Sequence, residues 1–214
     1  MSLKKICALL GVTACLAASA YYVWVLVDAR YIKGRSYIES ILESPLMIQK
    51  DKDLSPRQLH ILLTVQDPGF FQHQGVDFST PGNGWTTLTQ SVCKFIYFDE
   101  FKPGIRKIKQ TLLARYALNE LASKEEQITM YLNLVWFDRG VRGFAAAARH
   151  FHGKPFSQLT DDEFTALMAM LARPKELNPN THPQANAERV RRIKAVLAGR
   201  YKPQGLFDIW YDGA

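Results

Sequence analysis

Two short stretches carry the residues best placed to do chemistry. Gln66-Asp67-Pro68-Gly69-Phe70-Phe71-Gln72-His73-Gln74-Gly75 stands where a helix should stop, because proline cannot continue one and glycine tolerates the turn that follows. A side chain at that point projects from a rigid support into a gap. Gly82-Asn83-Gly84-Trp85-Thr86-Thr87-Leu88-Thr89-Gln90 is a glycine-rich loop running into hydroxyl residues and then a predicted helix. The free N–H groups and dipole of such a helix start favour an anion, and a phosphate-bearing ligand suits them. Either stretch alone also reads as a packed turn or a flexible loop. Between Phe101 and Asn119 there is no acid, while Lys102, Arg106, Lys107, Lys109 and Arg115 occur. A one-sided helix of this kind is an anion contact, for a substrate phosphate or for membrane headgroups.

The elements that position these groups are helical. Ser55-Pro56-Arg57-Gln58 is a capping box with proline at the first helical position, so a helix through Leu59, Ile61, Leu62, Leu63 and Val65 delivers Gln66 and Asp67 at its end. Apolar residues at Ile105, Ile108, Leu112, Leu113, Tyr116 and Ala117 recur at helical spacing over 105–121 and predict a buried face there. Ser123-Lys124-Glu125-Glu126 and Thr160-Asp161-Asp162-Glu163 are further capping boxes. The apolar run after Thr160 predicts the most buried helix, and an arginine-rich helix over 185–197 closes the domain. Phe95 to Phe101 reads either as an exposed flap or as core. Strand-like alternation is almost absent, so the domain is expected to be all-α.

The 214 residues suffice for one domain, and 47% apolar with 22% charged residues describes a folded chain. Net charge is +7, from 27 Lys and Arg against 20 Asp and Glu, which suggests an anionic partner. Ile6 to Val27 carries no charge and follows Lys4 and Lys5, so it can span a bilayer with its basic end in the cytoplasm. Ala18-Ser19-Ala20 and Val12-Thr13-Ala14-Cys15 offer signal-peptidase and lipoprotein readings, but Tyr21 to Val27 continues the apolar run with interfacial aromatics, which favours an uncleaved anchor. Cys7 and Cys15 fall within that anchor, leaving Cys93 alone beyond it, with neither a disulfide pair nor a zinc spacing. The expected division is an anchor over 1–28, a membrane-proximal linker over 29–53, a catalytic-type domain over 54–200 and a C-terminal tail over 201–214.

Five ordered motifs resemble the family 51 glycosyltransferases, the peptidoglycan transglycosylases found alone or as the N-terminal half of class A penicillin-binding proteins. They are Gln66-Asp67 with Phe70, His73 and Gly75; Thr86 to Gln90 with Lys94; Arg106 to Gln110; Lys124 to Asn133; and Gly143 with the Ala145–Ala148 run and Gly153-Lys154. The resemblance implies a lysozyme-like, two-lobed helical domain behind one N-terminal transmembrane helix, on the outer face of a bacterial cytoplasmic membrane. It implies lipid II and the nascent glycan as ligands, cell-wall synthases as partners, and inverting transfer with undecaprenyl diphosphate leaving. By position it assigns Gln66 to the general-base place, Gln110 to the second glutamate place and Asp67 to a supporting role. Substrate binding falls to His73, Thr87, Thr89, Gln90, Lys94, Arg106, Lys107, Asn133 and Arg142. A divalent ion, Mg or Mn, at the diphosphate fits the family, and Gln110 in place of a carboxylate argues against it here. No nucleic-acid motif is present.

The cationic side of that chemistry is intact and the carboxylate side is not. Gln66, Gln110 and Thr129 stand where the family has glutamates, and an amide cannot take up a proton near neutral pH. Two readings follow: a slow enzyme in which Asp67, Asp77 or Asp138 serves as base, or a module that binds lipid II or glycan and regulates an active synthase.

Overall fold

The computed structural model describes residues 2–214, with Leu3 described by its backbone only. Helix α1 (Leu3–Val27) passes through a wide π-helical turn (Asp28–Lys33) directly into α2 (Gly34–Leu42). The run from Lys4 to Leu42 is long and apolar enough to cross a membrane, and the apolar window that qualifies it has no residue buried inside the protein. Its exit is not loose. Val25 and Ala29 are buried against the domain, and Arg35 on α2 grips both carboxylate oxygens of Glu126, at 2.6 and 2.5 Å, and the Leu121 carbonyl at 2.8 Å.

The domain is built from α3 (Pro56–Gln66), α4 (Leu88–Ile96), α5 (Ile105–Leu113), α6 (Asn119–Leu121), α7 (Lys124–Leu134), α8 (Phe144–His152), α9 (Asp161–Met170) and α10 (Pro183–Leu197). The helical class expected from the pattern holds. Four of these helices start on reciprocal capping boxes, Ser55/Gln58, Thr87/Gln90, Ser123/Glu126 and Thr160/Glu163. Each cap contributes about 1 kcal/mol, and each fixes where its helix begins. α4 packs on α7, α3 on α9, and α9 on α10.

Two local expectations need correction, and one open alternative is decided. The most continuously buried helix is α7, where every residue from Gln127 to Leu134 is inside, although α9 contributes fully buried Phe164, Leu167 and Met168. Helix α7 is wrapped on both sides, so its polar residues are inside too. The face read over 105–121 is only partly inside: Leu113 and Ala117 are buried, but Ile105 and Ile108 are 79% and 51% exposed while Gln110 is fully buried. α5 packs beside the end of α1, and these two isoleucines point away from the domain. The segment after α4 is mostly core, with Ile96 buried and Phe95, Tyr97 and Phe98 packed against it.

A small antiparallel hairpin, β1 (Trp136–Asp138) with β2 (Val141–Arg142), interrupts the helices. Its strands are too short for alternation to register. Gly143 follows at φ +79°, and a side chain there would meet the Asn133 carbonyl at 2.8 Å, so only glycine lets α8 pack against the end of α7.

Residues 201–214 are a wall of the domain. Gly82 and Gly84 donate their N–H groups to the carbonyls of Gly205 and Leu206 at 2.9 and 2.7 Å. Arg189 on α10 donates to the carbonyls of Trp210 and Ile209 at 2.7 and 2.5 Å, and Tyr211 is fully buried.

Candidate active site

Gln66, the last residue of α3, lies between two cavities. One, of about 240 Å³, is lined by Gln66, Ser91, Lys94, Tyr131 and Trp136 among others. The second, of about 300 Å³, is lined by Gln66, Asn83, Trp85, Thr86, Arg189 and Ile209 among others. No carboxylate lines either cavity.

The cation side is concentrated at Lys94 and Lys107. Burial depresses the Lys94 ammonium, and burial together with the neighbouring Lys94 charge lowers Lys107 to about 8. Lys107 donates to Thr86 Oγ1 at 2.9 Å, and Lys94 sits over the rings of Phe95 and Phe101. Neither lysine has a carboxylate partner among the described residues. Two partly dehydrated ammoniums without a counter-ion form a site that an anion relieves. Arg106 does not join them. Its guanidinium turns to the Glu100 carbonyl on the exposed loop, whereas Lys107 reaches Thr86 in the wall of the larger cavity.

Asp67 is sealed. Its carboxylate accepts from His73 Nε2 at 2.9 and 3.0 Å and from the Leu88 N–H at 2.8 Å, and it is fully buried. Gly75 N–H donates to His73 Nδ1 at 3.1 Å, which fixes the ring as the Nε2–H tautomer. The start of α4, expected to face a ligand anion, therefore already holds one from inside the protein. Lys124 closes the same corner, donating to the His73 carbonyl at 2.9 Å with its ammonium 4.4 Å from the Phe70 ring centroid.

Several residues expected to touch substrate face inward. Thr87 Oγ1 donates to the Gly75 carbonyl at 2.7 Å, Thr89 Oγ1 to Gln127 Oε1 at 2.7 Å, and Gln90 Nε2 to Thr111 Oγ1 at 2.9 Å. All three are at most 1% exposed, so they hold the groove's floor together. Asn133 pins the membrane-proximal segment through both amide atoms, accepting from Gln49 N–H at 3.0 Å and donating to the Gln49 carbonyl at 2.7 Å. Thr129 accepts from the Asp51 N–H at 3.0 Å on that same side. Arg142 donates to the Leu134 carbonyl and lies 5.3 Å from the Trp136 ring, supporting one wall of the smaller cavity.

Gln110 Nε2 donates to the Gln90 carbonyl at 2.6 Å, and its Oε1 is buried without a partner. A buried amide beside cavities that lack carboxylates is a poor cradle for Mg or Mn, which prefer charged oxygen donors. Among the described residues no group of three acidic, histidine or cysteine side chains is spaced to hold a metal.

The other carboxylates considered as bases are elsewhere. Burial pushes the Asp77 carboxyl up, but hydrogen bonds from Thr80 and Ser79 outweigh it and hold it at about 2, where it caps a turn. Asp138 lines a separate cavity of about 420 Å³ with Arg139, Arg173 and Glu176, joined to the Gln66 side only through Trp136.

Residues 79–198 match the family model described as Transglycosylase, more than half of the sequence. The chain belongs to the transglycosylase family. It is 31% identical over 164 residues to penicillin-binding protein 1F of Bacillus subtilis, covering 70% of this transglycosylase-family chain and 22% of that relative. It is 30% identical over 173 residues to a putative transglycosylase of Cupriavidus necator, covering 74% of this chain and 73% of that one. A biosynthetic peptidoglycan transglycosylase of Nitrosomonas eutropha is 29% identical over 137 residues, covering 58% of this chain and 55% of the relative. The chain thus spans about a fifth of the penicillin-binding protein's length and about three quarters of the Cupriavidus relative's.

Sequence reasoning found Gln66, Asp67, Lys94 and Lys107. It missed Trp136, Arg189 and Ile209 as cavity walls. Trp136 belongs to a hairpin too short to register, and the other two reach the site only through the folding back of residues 201–214.

Proposed function

We propose that this chain binds lipid II in the groove at Gln66, on the outer face of a bacterial cytoplasmic membrane, and polymerises glycan at a much reduced rate. The observation that carries this reading is that Lys94 lines one cavity with Gln66, and Lys107 donates to Thr86 in the wall of the other, neither ammonium neutralised and no carboxylate among the described residues lining either cavity. The lysines suit a departing diphosphate through charge-assisted hydrogen bonds. In the transfer, the acceptor 4-hydroxyl oxygen bonds to C1 of the donor as the C1–O bond to the diphosphate breaks with inversion. The hydroxyl proton leaves to water, since the Gln66 amide cannot keep it. A missing general base lowers the rate by about 10²–10⁴-fold.

The sealed state of Asp67 favours a second reading, a lipid II or glycan-binding module that regulates or scaffolds a synthase. Polymerisation of lipid II by the purified full chain, compared with Gln66→Glu, separates the two. Slow polymer that accelerates by about 10²-fold or more in Gln66→Glu supports the enzyme reading. Tight lipid II binding with no polymer from either form supports the binding module, and absence of binding overturns both.

A further inference from the structure

A cavity of about 140 Å³ lies between the end of α1 and the domain, with no lining residue in common with the cavities at Gln66. Its walls include Trp24 and Asp28 from the anchor side, Lys33 from the wide turn, Tyr97 after α4 and Lys109 on α5. Its volume suits a phosphate group and is too small for a disaccharide. With α1 in a bilayer, the first charged residues after the apolar run place this cavity at headgroup level, and Trp24, 58% exposed, sits at its edge as interfacial tryptophans do.

The charges are unevenly settled. Lys33 pairs with Asp28 at 3.0 Å, whereas Lys109 has no carboxylate partner among the described residues and rests 5.3 Å from the Phe98 ring. The lining therefore carries one positive charge in excess. The Tyr97 hydroxyl is buried without a hydrogen-bond partner, a donor that its surroundings leave unused. On the same helix as Lys109, Ile105 and Ile108 are exposed, which brings this side of α5 against lipid.

We propose that this cavity binds the phosphodiester of an anionic membrane lipid, whose oxygens accept from Lys109, Lys33 and the Tyr97 hydroxyl. One phosphodiester charge balances the one excess ammonium. The lipid bridges the anchor to α5 and so joins the membrane-spanning helix to the domain independently of any ligand at Gln66.

Native mass spectrometry of the full chain, taken from micelles of mixed phosphatidylglycerol and phosphatidylcholine, tests this. The expected result is one retained phosphatidylglycerol in preference to phosphatidylcholine. Retention falls about ten-fold in Lys109→Ala, since a hydrogen bond to a charged group is lost, and less in Tyr97→Phe. Lys109→Arg keeps it, and an unchanged circular dichroism melt separates loss of the lipid from loss of the fold. Equal retention of the two lipids, or Lys109→Ala retaining as much as the parent, overturns the proposal. Displacement of the lipid by excess inorganic phosphate would assign the cavity to free phosphate and overturn it as well.

Discussion

The Asp67 carboxylate sits 2.9 Å from His73 Nε2 and is wholly out of solvent, tied at the same time to the first N–H of α4. One charged group thus holds the end of α3, the turn at His73 and the start of α4 in a single arrangement. Its neighbour Gln66 owes its position to that arrangement. Replacing Asp67 by Ala leaves a buried ring N–H and a backbone N–H unpaired, and is expected to cost about 3 kcal/mol or more. Denaturant unfolding of Asp67→Ala checks this. A variant as stable as the parent would show that the carboxylate is free for other work.

Anion binding at the groove should weaken as pH rises through about 8, the range in which the Lys107 ammonium loses its proton. A bound diphosphate favours the charged form, so the limb moves to higher pH as ligand saturates the site. Lys107→Met should bind less tightly and lose this limb, and Lys107→Arg should keep binding while moving the limb beyond the measurable range. The stability of the free protein runs the other way. Burial lowers the folded-state pKa of Lys107 below its usual 10.5. Between these values the unfolded chain holds more protons, so this group's contribution to stability improves as pH rises through that window. Titration calorimetry with a lipid-linked diphosphate analogue, and unfolding at matched pH values, measure the two effects.

Tyr211 is fully buried, and its hydroxyl donates to the Thr64 carbonyl at 3.2 Å, two residues before Gln66. Tyr211→Ala is expected to cost about 3–4 kcal/mol through the lost ring and to loosen residues 201–214. Urea unfolding gives the stability change. Faster amide exchange at Gly82 and Gly84, whose N–H groups are held by that segment, would locate it.

Gly75 has φ +88°, and a side chain there would stand 2.3 Å from the Ala114 carbonyl oxygen. Backbone would have to move to admit a methyl group. Gly75→Ala is therefore expected to lose about 2 kcal/mol or more and to shift the His73 contact with it. Thermal unfolding and the chemical shift of the His73 ring report the two consequences.

Much of the scaffold was legible because it is local. A serine or threonine followed three residues later by Glu or Gln states where a helix begins, and Ser55, Ser123 and Thr160 each do so. The stop at Pro68 likewise placed Gln66 at a helix end. What escaped was set by contacts far along the chain or by the solvent. Periodicity cannot tell a core face from an apolar face turned outward, which is why Ile105 and Ile108 read as interior and Gln110 as accessible. The Thr87, Thr89 and Gln90 hydroxyls and amide were legible as polar, but their commitment to Gly75, Gln127 and Thr111 belongs to the packed structure. Arg189 is one of several arginines on its helix, and only the return of residues 209 and 210 supplies the carbonyls that bury it.

Helix α1 runs on through the wide turn to Lys33, and Gly34, at φ +57° and ψ −156°, then turns the chain into α2. At 1.5 Å per residue the 25 residues of α1 alone rise about 38 Å, more than the thickness of a bilayer's oily interior. Beyond that bend α2 is clamped to the body by Arg35, so the apolar helix and the groove keep one height and one bearing relative to each other. For the lipid-linked ligand proposed above, with α1 in a bilayer, such rigidity shortens the sideways search in two dimensions where a slack tether would lengthen it.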